Sequence, residues 1–102
     1  MDATVRRDAL PADLEAALRA EGGRPSRWGN GPGHRYDWHV HGDRKVLFCL
    51  RGSIVFHLRD APDLELRPGD RLDLPAGTDH AASVGPDGVE CIEALIPPSL
   101  PG

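Results

Sequence analysis

No stretch of more than ten residues in this chain is free of both glycine and proline, and the twelve glycines and ten prolines form no short repeat. An average helix needs roughly 11–12 uninterrupted residues, an average strand only 5–6. The punctuation therefore fits many short strands. Between the turn signals the apolar residues alternate with polar ones, the period of a strand with one buried face. About eight such segments can be marked, at 24–28, 35–41, 45–51, 53–59, 64–67, 71–74, 80–84 and 89–96. Turns separate them at Gly29-Asn30-Gly31-Pro32-Gly33, Gly42-Asp43, Gly52, Asp60-Ala61-Pro62, Pro68-Gly69, Pro75-Ala76-Gly77 and Gly85-Pro86-Asp87-Gly88. Many short strands with regular turns predict an all-β, antiparallel jelly roll or barrel.

One helix is legible ahead of the strands. Leu10, Leu14, Ala17 and Leu18 fall on one face, Pro11 can sit in the first turn, and Gly22 stops it. Residues 1–22 thus read as an N-terminal helical segment and 23–102 as a single β domain. The run Val46-Leu47-Phe48-Cys49-Leu50 is apolar at every position, which predicts a strand buried on both faces. Its outer face needs a cover, and a second copy of the chain in a homodimer is expected to supply it, the alternative being the helix alone.

Composition narrows the classes of function. A chain of 102 residues, 39% hydrophobic and 27% charged, is one globular domain, neither disordered nor a membrane protein. The formal charge is −4 and the Lys and Arg residues are scattered, so there is no basic stripe for nucleic acid. No apolar run has the length of a signal peptide or a membrane span, and a cytoplasmic location is the expectation. Cys49 and Cys91, forty-two residues apart, read as two reduced, buried thiols.

The five histidines are His34, His39, His41, His57 and His80. On a strand, His39 and His41 project from one face about 7 Å apart, close enough to share an ion. The glycines and histidines around them have a spacing that resembles the cupin superfamily. Its first motif runs Gly, five residues, His-x-His, three or four residues, Glu, six residues, Gly; here stand Gly33, His39, His41, Lys45 in place of Glu, and Gly52. Its second runs Gly, five residues, Pro-x-Gly, two residues, His, three residues, Asn; here stand Gly69, Pro75, Gly77, His80, and Val84 in place of Asn. The resemblance covers most of the chain and is to a small single-domain cupin. It implies a cupin jelly-roll barrel with His39, His41 and His80 turned inward as ligands of a divalent metal, whether Zn, Fe, Ni, Mn, Co or Cu.

Lys45 is the departure. An ammonium repels a dication, so it cannot replace the carboxylate as a ligand while charged. Three readings stay open: a three-histidine site in which Lys45 holds an anionic or enolic substrate oxygen and so counts as a catalytic residue; a carboxylate from elsewhere, Asp37 or Glu93; or a barrel without metal that only binds a small ligand. The fold itself names a site and leaves the reaction open, from dioxygenase-type chemistry to plain binding of a small organic molecule. Of the remaining residues, Tyr36 and Trp38 alternate with the inward histidines and should point outward. Phe48 and Phe56 belong to core or interface, and Leu47, Cys49 and Leu74 to the pocket wall. His57 is a strand histidine and His34 a solvated loop residue.

Overall fold

A computed structural model describes residues 2–98. Its elements are β1 (Thr4–Arg6), α1 (Leu14–Ala20), β2 (Ser26–Asn30), β3 (Arg35–His39), β4 (Arg44–Leu58), β5 (Ala61–Leu66), β6 (Arg71–Leu74) and β7 (His80–Ile96). All strand pairs are antiparallel, and the principal path runs β1-β6-β4-β7-β2, with β3 also on β7 and β5 also on β4.

Two long strands organise the molecule. β4 pairs with β7 from Arg44↔Ile96 to Leu58↔His80, with shifts of register between Cys49 and Arg51 and between Gly52 and Ile54. The predicted segments 45–51 and 53–59 are thus one bent strand, and so are 80–84 and 89–96. Gly52 marks the bend because nothing else fits: its φ is +72°, and a Cβ there would lie 1.9 Å from the Gly88 carbonyl oxygen. One half of the pair carries β6 and β2, the other β5 and β3, giving the two leaves of a jelly roll. The predicted barrel does not close. The three-residue β1 and the five-residue β2 stand at opposite ends of the path and do not pair with each other.

The apolar run of β4 is buried on both faces, as its composition requires. Leu47 and Cys49 point inward with Ile54, Leu66, Leu72 and Cys91, while Val46 and Phe48 point outward with Ile92, Ala94 and Ile96. Leu18 of α1 completes the outer cluster and is itself fully buried. The helix thus covers the face that suggested a second chain, and Val46 and Phe48 are at most 1% exposed without one.

The helix begins later than its periodicity predicts. Asp13 is the N-cap, its carboxylate accepting from the Ala16 N–H at 3.0 Å, so Pro11 and the half-exposed Leu10 lie before the first turn. At its other end Glu21 accepts two hydrogen bonds from Arg71, at 2.7 and 2.9 Å, and Arg71 also bonds both oxygens of Asp73 at 2.8 Å. This bidentate network ties the helix to β6. The Arg71 guanidinium beside Glu21 holds its carboxyl below the usual range. Burial alone would raise Asp73, and Arg71 outweighs it, leaving that carboxyl lowered too.

Candidate metal centre

His39 ends β3 and stands directly opposite His80, the first residue of β7. His41 follows in the loop after β3, and its carbonyl accepts from the Gly77 N–H at 2.9 Å. That bond joins the two sequence motifs physically. Pro75 and Gly77 form the turn that places His80: Thr78 donates to the Pro75 carbonyl through its hydroxyl at 2.8 Å, and Gly77 has φ +78°, the left-handed region that favours glycine. The rings converge, with centroids 4.2 Å apart for His39 and His80, 4.9 Å for His39 and His41, and 5.4 Å for His41 and His80. One ligating nitrogen from each lies within 4.8 Å of the other two.

The hydrogen bonds select the free nitrogens. His80 Nδ1 lies 2.8 Å from the Thr78 carbonyl oxygen and His39 Nδ1 2.6 Å from that of Asp37. A carbonyl only accepts, so each Nδ1 carries a proton, and in the neutral ring the lone pair is on Nε2. Among the described residues, His41 Nε2 and His80 Nε2 are the buried side-chain nitrogen or oxygen atoms left without a hydrogen-bond partner. An orphaned buried imidazole nitrogen costs free energy unless something binds it. Burial, then the neighbouring Lys45 charge, pushes His41 below the ordinary imidazole range. Burial does the same for His80 against the opposing effect of the Thr78 bond. Both are therefore neutral at pH 7, the form that ligates a cation. The donor set fits a divalent transition metal.

The histidines line a cavity of about 240 Å³, whose walls also include Trp28, Tyr36, Phe56, Lys45 and Glu93. Lys45 is buried and faces this cavity, with Nζ 3.5 Å from Glu93 Oε1; Trp28 Nε1 donates to the same oxygen at 2.6 Å. Glu93 is thereby committed to Lys45 and Trp28 and does not join the histidine cluster. Asp37 is exposed on the other face of β3.

Asp37 and Tyr36 correct the parity argument together. Tyr36 stands opposite Ala82 and His39 opposite His80, so β3 carries one extra residue between them, a bulge that reverses which side chains face inward. Tyr36 therefore lines the cavity, its hydroxyl donating to Asn30 Oδ1, while Asp37 turns to solvent. Trp38 does point outward, where Arg59 stacks over it at 4.0 Å. Phe56 lines the cavity, with its ring centroid 6.3 Å from that of His80. Leu47, Cys49 and Leu74 lie in the core and do not line it. His34 is exposed and stacks edge-on against Tyr36.

Trp28 had no role in the sequence reading; its alternation with Arg27 and Gly29 carries no signal for the cavity. A Ser83–His57–Asp63 relay lies on the outer face, with His57 Nε2 2.9 Å from Ser83 Oγ and Nδ1 3.1 Å from an Asp63 oxygen. The N–H following Ser83, that of Val84, is spent on the His34 carbonyl at 2.8 Å, so the serine lacks the adjacent donor that an acyl-transfer site needs.

Comparison with known proteins bears on this geometry. The model of the AraC-like ligand binding domain matches residues 28–92, which include all three histidines and every named cavity wall except Glu93. The chain belongs to that family. It is a small cupin-superfamily domain, and solved cupins share its architecture: a cupin superfamily protein from Desulfitobacterium hafniense DCB-2 superimposes with a TM-score of 0.67 at 18% identity, over 95% of this chain and 79% of the other. A chain from the crystal structures of DMSP lyases RdDddP and RnDddQII is 34% identical, with a TM-score of 0.67 over 76% of this chain and 40% of that one. Acireductone dioxygenase 1 of Vitis vinifera is 41% identical over 49 residues, 44% of this chain and 26% of the relative. This domain thus spans about a quarter of the length of the curated relatives it matches.

Proposed function

We propose that His39, His41 and His80 hold one divalent transition metal ion and that the cavity beside them binds and transforms a small organic molecule with an anionic or enolic oxygen. The unpartnered Nε2 atoms of His41 and His80 carry this reading. When bound, such a metal supplies Lewis acidity toward a carbonyl or enolate oxygen, and a redox-active one supplies dioxygen chemistry. The chain's own residues do the rest. Lys45, buried and facing the cavity, offers a charged donor to the substrate oxygen, and Glu93 holds it there. Trp28, Tyr36 and Phe56 exclude water and stack on the apolar part of the ligand. A volume of about 240 Å³ lies below the usual roughly 300–1,000 Å³ of drug-sized sites, which limits the substrate to a small molecule.

Acireductone and DMSP are the substrates to try, because acireductone dioxygenase 1 shares partial sequence identity with this chain and the chain from the DMSP lyase structures shares both identity and fold. Metal-loaded protein is assayed with each, in air and under anaerobic conditions. Turnover that requires dioxygen supports dioxygenase-type chemistry, and turnover that persists without it supports a lyase or isomerase. In either case Lys45→Met weakens the interaction with the anionic substrate. The family match favours a second reading, a ligand-binding domain without turnover. Saturable binding of a small carboxylate with no product formed would select it.

A further inference from the structure

Cys49 and Cys91 are far apart in sequence but directly opposite each other across β4 and β7. Both are free and 0% exposed. Cys49 spends its backbone groups on the other side of its strand: its N–H donates to the Asp70 carbonyl at 3.0 Å, and its carbonyl accepts from the Gly69 N–H at 2.9 Å. The Cys49–Cys91 pair is therefore of the non-hydrogen-bonded kind, in which opposed Cα atoms approach to about 4.5 Å and side chains come closest. That spacing falls inside the roughly 4.4–6.8 Å range a disulfide spans. Both sulfurs lie on the inner face, and the next inner rung along the pair joins Leu47 to Glu93, a wall of the cavity.

We propose that Cys49 and Cys91 are a redox modification site, a cross-strand dithiol that a peroxide closes to a disulfide beneath the cavity. The first step forms an S–O bond between the Cys49 sulfur and one peroxide oxygen as the O–O bond breaks. The departing hydroxide takes the Cys49 proton and leaves as water. The Cys91 sulfur then attacks the sulfenic sulfur, forming the S–S bond as the S–O bond breaks, and the second water leaves with the Cys91 proton. Two thiols are oxidised, one peroxide is reduced, and two waters are produced. Hydrogen bonding between the two thiols lowers that of Cys49 and raises that of Cys91, and the same balance holds with either sulfur attacking first. The bond would staple the two central strands one inner rung from Glu93 and does not depend on metal being bound.

The test is thiol counting on the full native chain. Protein is treated with hydrogen peroxide, quenched with catalase, denatured and alkylated, then measured by intact mass and peptide mapping. Untreated protein should take up two alkyl groups. Oxidised protein should take up none, weigh about 2 Da less than the reduced unalkylated chain from loss of two hydrogens, and yield one cross-linked peptide containing Cys49 and Cys91. In Cys49→Ser the remaining thiol should form no intramolecular link. Two alkylatable thiols after peroxide, conversion of either cysteine to sulfinic or sulfonic acid in place of the link, or cross-links only between chains would overturn the proposal.

Discussion

On the helix side of β4 and β7, Arg71 is mostly buried and fully engaged: it chelates Glu21 at the end of α1, bonds both oxygens of Asp73 and lies over the Phe48 ring. On the cavity side, His41 Nε2 and His80 Nε2 are buried and engaged by nothing. The same sheet thus presents one face where polar groups are satisfied within the chain and another where two are held open. Arg71 and His80 are both largely removed from solvent, so the difference is one of purpose. Groups that close on each other stabilise the fold, whereas convergent donors kept without partners cost stability and gain a binding site.

Substitutions on the two faces should therefore have unequal effects. Arg71→Met leaves two partly buried carboxylates with only their longer contacts to Arg44, at 3.5 and 3.4 Å, and Arg6, and should cost about 2 kcal/mol in urea unfolding. A loss below about 0.5 kcal/mol would mean that the network does not hold the helix. The acid dependence follows with a definite sign. Glu21 and Asp73 are lowered from ordinary values of 4.5 and 3.8, so they favour the fold when ionised. Their stabilisation is full above those values and disappears as pH falls through the lowered folded ones. The urea midpoint of the metal-free protein should drop between about pH 5 and pH 3, and drop less in Arg71→Met. A parallel decline in both proteins would assign the acid sensitivity elsewhere.

The smallest effect belongs to the cavity. His80→Leu removes an orphaned nitrogen along with the bond to Thr78, so metal-free stability should change by no more than about 1 kcal/mol. A loss as large as that of Arg71→Met would show that His80 is structural and erase the contrast between the faces.

The strand periodicity and the glycine-marked turns were readable because each is a local property of the chain. So were the three histidines, since the cupin spacing encodes a convergence that only the folded sheet displays. The β3 bulge was not readable. One extra residue between Tyr36 and His39 reverses the inward and outward assignment of Tyr36 and Asp37, and nothing in Tyr36-Asp37-Trp38 signals it. Asp13 as a cap lay hidden behind the more conspicuous Pro11. The continuity of β4 through Gly52 was also obscured, because a glycine with positive φ serves a bend within a strand as well as a turn between two. The Lys45–Glu93 pair and the facing cysteines depend on registry between strand positions more than forty residues apart, information that no local pattern carries.

The most direct test of the three-histidine site is elemental analysis of untagged protein purified without added metal and again after reconstitution, beside His39→Ala and His80→Ala. The account predicts close to one divalent transition metal ion per wild-type chain and close to none in either variant, with both variants still folded by circular dichroism. A wild-type chain that stays metal-free after reconstitution, or variants that retain its full metal content, would contradict it.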